Sequence, residues 1–344
     1  MMNFPRLPIW TISLSLLLVG CSQDEYNEAA SKEAYLNDVI IADLSGMHQR
    51  AAELNQQSAS FCTSPVEENF QALRKSWSDA MLAWQSVEAV SQIYLEENME
   101  SWRFQFWPDK KNLTGRKIEA LLKKPVGENL TEESVIVQGL SALEYLLFDP
   151  SNGQRILLGE DNRCRFLKAV SNTLVLNTDE MTRKWQLHGT LNNEYNSVEP
   201  EKQVTVPTLV LNSLDVLSSR LIREVKLPLG KQKVNHYLAE SWRSGQSLSN
   251  IKHSLTAGQK MTSFVLKSAL SEQDRQVWQG LEEDLIRLEN EMELLPVSIF
   301  GLMELHGREP LLALNENLSD LRVNIQKASS ALNIPLGFNT NDGD

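Results

Sequence analysis

The sequence predicts an all-α protein of two tandem helical bundles, and three observations carry that reading. Apolar residues recur at steps of three and four over long stretches, the spacing of one helix face. Residues that start and stop helices bound those stretches, and no convincing run of alternating strand residues lies between them. The length, 344 residues, fits about two domains of ordinary size. Tandem bundles are the economical way to bury that many amphipathic helices.

The chain opens on MMNFPRLPIWTISLSLLLVGCS, in which Arg6 is the only charged side chain before Gly20. The apolar run is short for a membrane span and reads as an export signal. Leu18-Val19-Gly20-Cys21 resembles the bacterial lipobox, where the cysteine becomes the acylated first residue of the mature chain. Residues 1–20 are therefore expected to be a lipoprotein signal peptide and Cys21 the lipidation site. Ser22 after that cysteine resembles the pattern of lipoproteins sent to the outer membrane. The expected location is the outer membrane, lipid-anchored and facing the periplasm. Residues 21–34 are polar and read as a tether.

Export changes the reading of the two remaining cysteines. Cys62 and Cys164 would meet an oxidising compartment, and a disulfide between them is favoured over two buried free thiols. No histidine lies near either, which disfavours a two-cysteine zinc site.

The N-terminal bundle is expected over residues 35–188. Its clearest helix places Phe70, Leu73, Trp77, Met81, Trp84 and Val87 on one stripe, opened by Thr63-Ser64-Pro65 with Glu67 and Glu68 in the first turn. An irregular segment, SWRFQFWPDKKN, follows. Thr131-Glu132-Glu133 is read as the start of the next helix, ended by Asp149-Pro150, and residues 160–187 give another. The polar stretch 189–204 is the candidate junction. The C-terminal bundle, 205–344, is expected to hold helices over 205–226, about 246–268, 271–295 and 309–332.

Lys+Arg number 33 against Asp+Glu 45, a net charge of -12, which argues against nucleic-acid binding. No dinucleotide glycine fingerprint, phosphate loop, Cys-x-x-Cys, His-Glu-x-x-His or Gly-x-Ser-x-Gly occurs. His48, His188, His236, His253 and His306 have no second histidine at helical spacing, so no strong zinc motif is present.

One residue breaks the apolar pattern. In VIVQGLSALEYLLF, Glu144 shares a helical face with Val137, Leu140, Ser141, Leu147 and Phe148. A carboxylate there is costly to bury unless it is paired, hydrogen-bonded or bound to a cation. Two readings are open: a buried ion pair with Arg103 or Arg116, or a ligand carboxylate facing a cleft. The irregular segment, with Trp102, Arg103, Phe104, Phe106, Trp107, Asp109, Lys110 and Lys111, can form a ligand wall or a plug on the bundle end. Ser101-Trp102-Arg103 is echoed by Ser241-Trp242-Arg243, a hint of related halves. The tail offers Asn339, Asn341, Asp342 and Asp344 as oxygen donors, without calcium-loop spacing.

Four stretches, SWRFQFWPDKKN, VQGLSALEYLLF, ESWRSGQSLSNI and PLGFNTNDGD, resemble the imelysin-like family of bacterial periplasmic proteins and lipoproteins. The resemblance implies a two-bundle helical fold and a role in iron uptake, or the peptidase activity behind the family name. The family signature, Gly-x-His-x-x-Glu, falls here on Gly139 and Glu144, with Ser141 at the histidine position. That substitution removes one nitrogen ligand and argues against peptidase activity, with a metal-dependent peptidase kept as an alternative. The expected function is a lipoprotein that binds iron or an iron-containing ligand. The expected ligand-binding residues are Glu144, also the metal ligand, with Ser141, Arg103, Trp107, Asp109 and Arg243. Iron is the expected cofactor. The expected partners are the lipid membrane and iron-uptake proteins. A scaffold lipoprotein without a small ligand is the other alternative.

Overall fold

The computed structural model describes residues 28–90, 100–150, 161–188, 204–231 and 234–337, which are helical without a strand among them. The helices are α1 (Glu28–Tyr35), α2 (Ala42–Thr63), α3 (Glu67–Val90), α4 (Leu113–Leu121), α5 (Gly139–Phe148) and α6 (Asp161–His188). They continue as α7 (Val206–Leu229), α8 (Ser247–Leu266), α9 (Glu272–Met292), α10 (Ile299–His306) and α11 (Glu309–Leu332). The lipobox, Cys21, the junction at 189–203 and the Asn/Asp-rich tail from residue 338 lie outside the described residues.

The stripe on α3 does what its spacing dictates. Phe70, Leu73, Trp77, Met81, Trp84 and Val87 are all buried, each contributing roughly 1.5–3 kcal/mol by leaving water. They pack against α2 on one side and α8 on the other, so a single apolar core runs from the first half into the second. Arg74 folds from α3 over the rings of Phe70 and Phe148 and donates two hydrogen bonds, 2.7 and 3.0 Å, to the Leu147 carbonyl at the end of α5. A guanidinium suits a helix C-terminus, where carbonyls lack intrahelical partners.

α7 is the most enclosed helix of the second half. Its start is capped by Thr205, whose hydroxyl accepts from the Thr208 N–H, and Gly230 at φ 57° ends it. α9 is capped by Ser271, with Asp274 in its first turn, as the spacing indicates. Asn333 in the left-handed region closes α11. The chain beyond it lies on α7, where Asn212 accepts from the Gly337 N–H at 2.7 Å.

Three expectations are corrected. Part of the polar tether is helical, because α1 starts at Glu28 and packs on α7, and Tyr35 meets Phe264 of α8. The helix carrying Glu144 starts at Gly139, not near Thr131. Residues 131–138 turn back on themselves, and the buried Gln138 amide donates to the Leu130 and Glu133 carbonyls. The helix expected over 205–226 runs on through Pro228 to Leu229.

Cys62, at the end of α2, is joined to Cys164, near the start of α6, by a disulfide with a Cα–Cα distance of 5.6 Å. The bridge spans 102 residues of sequence and constrains the unfolded chain strongly. Replacing both cysteines by serine is expected to cost about 2–4 kcal/mol. A comparison of urea midpoints for wild type and the double variant checks this, with unchanged midpoints as the contrary result.

Candidate functional site

The site is assembled where the irregular segment of the first half meets the 236–246 segment of the second. Gly139 makes the first join. Its φ is +69°, a conformation open to glycine at little cost. The Leu140 N–H then donates to the Phe104 carbonyl at 2.7 Å. Ser141 makes the second join, accepting from the Phe106 N–H at 3.0 Å and donating back to the Phe106 carbonyl at 3.3 Å. Ser141 therefore binds backbone, and its hydroxyl anchors the aromatic segment rather than facing a ligand alone.

Glu144, one turn on, is buried. Its Oε1 accepts from both the backbone N–H and the hydroxyl of Ser244, each at 2.9 Å. Burial raises its pKa above the ordinary carboxylate value, and the Ser244 N–H and the charge of Arg243 pull it partly back. The carboxyl thus ties the two halves together.

Arg103 is not its partner. That guanidinium bridges Glu100 at 3.2 Å and Glu180 at 3.1 Å and donates to Asn177 at 2.8 Å, because the short 3-10 turn at 100–103 aims it at α6. Arg116 is exposed on α4. The expected Arg103–Glu144 and Arg116–Glu144 pairings are both corrected by the Ser244 contacts.

Arg243 does come to the site. It donates to Asp149 at 3.1 Å and to Asn112 at 2.8 Å, and it stacks over Trp242 and Tyr145. Trp107 also lines the cleft, its indole donating to the Leu238 carbonyl at 3.1 Å and lying beneath Arg223. Asp109 sits in the wall, but its carboxylate accepts from the N–H groups of Leu113 and Thr114 and so starts α4.

The cleft is narrow, about 20 Å³, room for about one water molecule. Sequence reasoning missed Tyr237, Trp242, Gln105 and Thr114 among its lining, and Ser244 as the partner of Glu144. The Thr114 hydroxyl is buried there without a hydrogen-bond partner. The echo Ser241-Trp242-Arg243 held the available signal for Trp242. Serine and threonine hydroxyls are too common to stand out before a fold places them.

The model of the Imelysin family matches residues 40–325. The chain belongs to that family. An imelysin-like protein from Psychrobacter arcticum is similar to it in structure, with a TM-score of 0.76 at 19% identity, over 91% of this chain and 99% of the other. A protein from Parabacteroides distasonis described as an iron-regulated protein A precursor matches with a TM-score of 0.67 at 14% identity, over 90% of this chain and 97% of the other. No curated protein matches. At these identities the two structures establish the shared fold. In this Imelysin member Gly139, Ser141 and Glu144 each make structural contacts that are visible in the fold.

Proposed function

We propose that the protein is a lipid-anchored, periplasm-facing lipoprotein of the outer membrane that serves iron acquisition by binding an iron-containing ligand. The observation that carries this reading is the cleft over Glu144, closed from both halves and rimmed by Trp107, Tyr237 and Trp242 with Arg223 and Arg243 beside them. Its donors are the Glu144 carboxylate, the Asp109 carboxylate already committed to the N–H groups of Leu113 and Thr114, and neutral oxygens, which offer a bare cation little charge compensation. The rim offers ring faces and guanidiniums, which suit a flat or carboxylate-bearing organic group around the metal. Because the cleft itself holds about one water, the ligand sits at the mouth and the inner carboxyl contacts it only if the halves part.

The test uses the full mature chain in detergent, titrated separately with ferric ion, ferric citrate and haemin while tryptophan emission and melting temperature are followed. Ferric citrate or haemin is expected to quench emission saturably and raise the melting temperature. Arg243→Gln is expected to weaken that binding about tenfold or more, the loss of one charge-assisted hydrogen bond. No response to any of the three probes overturns the reading.

A second reading, a scaffold that docks an iron-uptake protein, is favoured by one observation. Leu294, Val297 and Leu305 are 88%, 63% and 71% exposed around α10, and clustered apolar exposure marks interaction surfaces. Copurification that is lost on Leu294→Glu, together with silence toward all three probes, distinguishes it.

A further inference from the structure

We propose that a buried cluster at the seam between the halves is a proton site, and that its protonation sets how firmly the 236–246 segment closes the Glu144 cleft. Three carboxylates face one guanidinium there. Arg220 of α7 lies 2.6 Å from Glu88 of α3, 2.7 Å from Glu224 of α7 and 3.6 Å from Glu240. All four side chains are largely or wholly buried, Glu224 being 1% exposed. A single positive charge cannot balance three ionised carboxylates out of water, so the closed state must retain a proton.

Among the described residues, the remaining contacts of the cluster are dipoles. α3 adds Gln85, which accepts from Arg220 and donates to Glu240 at 3.3 Å. α8 adds Asn250, 2.8 Å from Glu240, and Ser254, which donates to Gln85 at 3.1 Å. Oε2 of Glu224 has no hydrogen-bond partner. The charges acting on Glu88 are those of Arg220 and Glu240, with the Trp84 side chain beside it, and those acting on Glu224 are Arg220, Glu240 and Glu88. Burial raises Glu88 to about 7 and holds Glu224 well above the ordinary carboxylate range, against the pull of Arg220.

The cluster touches the cleft wall through contiguous contacts. Asn250 donates from one amide nitrogen to both Glu240 and the Ser241 hydroxyl. The single Ser244 hydroxyl proton is shared between the Ser241 carbonyl at 3.0 Å and Glu144 at 2.9 Å, and the Ser244 N–H holds Glu144 independently. Releasing the proton places like charges around Glu240 and pushes the 236–246 segment that carries it away from α3 and α7.

The sign follows from linkage. Once opened to water, Glu88 and Glu224 return toward about 4.3. Opening therefore releases a proton at any pH between that value and the raised one. The segment is held tightest at the acid end and loosens as pH rises toward about 7, the value for Glu88.

The test is amide hydrogen exchange of residues 236–246 in the full chain, from about pH 5 to pH 8, corrected for the intrinsic pH dependence of exchange. Wild type is expected to open about tenfold more per pH unit for each proton released, levelling off above the raised values. Glu88→Gln is expected to lower that slope by one proton. Glu224→Gln serves as the second variant if the first fails to fold. A wild-type slope of zero, or an unchanged slope in both variants, overturns the proposal. A slope that disappears in Glu144→Gln while both cluster variants keep it would assign the proton to the cleft carboxyl and also overturns it. The consequence for binding rests on the cleft reading above, but the exchange experiment contains no ligand, so the two ideas fail separately.

Discussion

Arg220→Met is expected to destabilise the protein by about 3–5 kcal/mol near neutral pH, because it removes the one positive charge from among three buried carboxylates. The loss is a penalty for what remains, not the worth of what is removed. Glu88 and Glu224 already sit above the ordinary carboxylate range through burial, and without Arg220 they rise further. A carboxyl whose folded value is raised contributes stability that is complete below its unfolded value, about 4.3, and is lost as pH rises through the folded value. The variant should therefore lose least near pH 5, where the carboxyls can take up protons, and most at pH 8. Urea unfolding at the two pH values measures the difference. Equal losses at both would mean that the guanidinium contributes packing and hydrogen bonds rather than charge balance. Adding Glu224→Leu should recover part of the loss, because an unpaired buried acid leaves with the second substitution.

How far this architecture was legible depends on where each residue's partner comes from. The helices of the second half could be read closely because their signals are local. Ser271 caps α9 and Glu309–Leu332 is bounded as its stripe implies. The Cys62–Cys164 bridge was legible because only two cysteines remain after Cys21. The start of α5 was not, because Val135–Val137 continues the apolar register of the helix without belonging to it. Only the contact of Leu140 with Phe104 shows why the chain must break at Gly139. Glu144 could be singled out from its apolar face, but its partner could not. The natural guess was an arginine close in sequence, whereas Ser244 lies 100 residues away. The Arg220 cluster went unseen for the same reason. An arginine and a glutamate four apart read as a surface ion pair, and nothing local reveals that α3 and residue 240 bring two more acids to them. Arg243 was located through its echo of Arg103. Yet the two serve different ends, one at the cleft and one as a clamp on α6.

Gly139→Ala is expected to cost on the order of 3 kcal/mol or more, and it tests what that glycine is for. Two penalties act together. A φ of +69° strains any residue with a Cβ. The added methyl would lie 2.3 Å from the Phe104 carbonyl oxygen and 2.5 Å from that of Arg103, both backbone atoms that cannot rotate aside. The irregular segment would have to move off α5, breaking the Leu140–Phe104 hydrogen bond and the paired contacts of Ser141 with Phe106. Trp107 follows Phe106 directly, so the cleft wall should loosen with the fold. Gly245, at φ +73° but with only the Ser298 Cβ at 3.6 Å, is the matched control. An alanine there meets the backbone strain without the clash, and is expected to cost about 1–2 kcal/mol. If the two variants lose equal stability, the close approach of strands of chain at Gly139 is not what the glycine serves. If Gly139→Ala loses clearly more and also exposes the Trp107 region to quencher, the glycine exists to let the aromatic segment lie against α5, and the glutamate one turn on inherits its position from that contact.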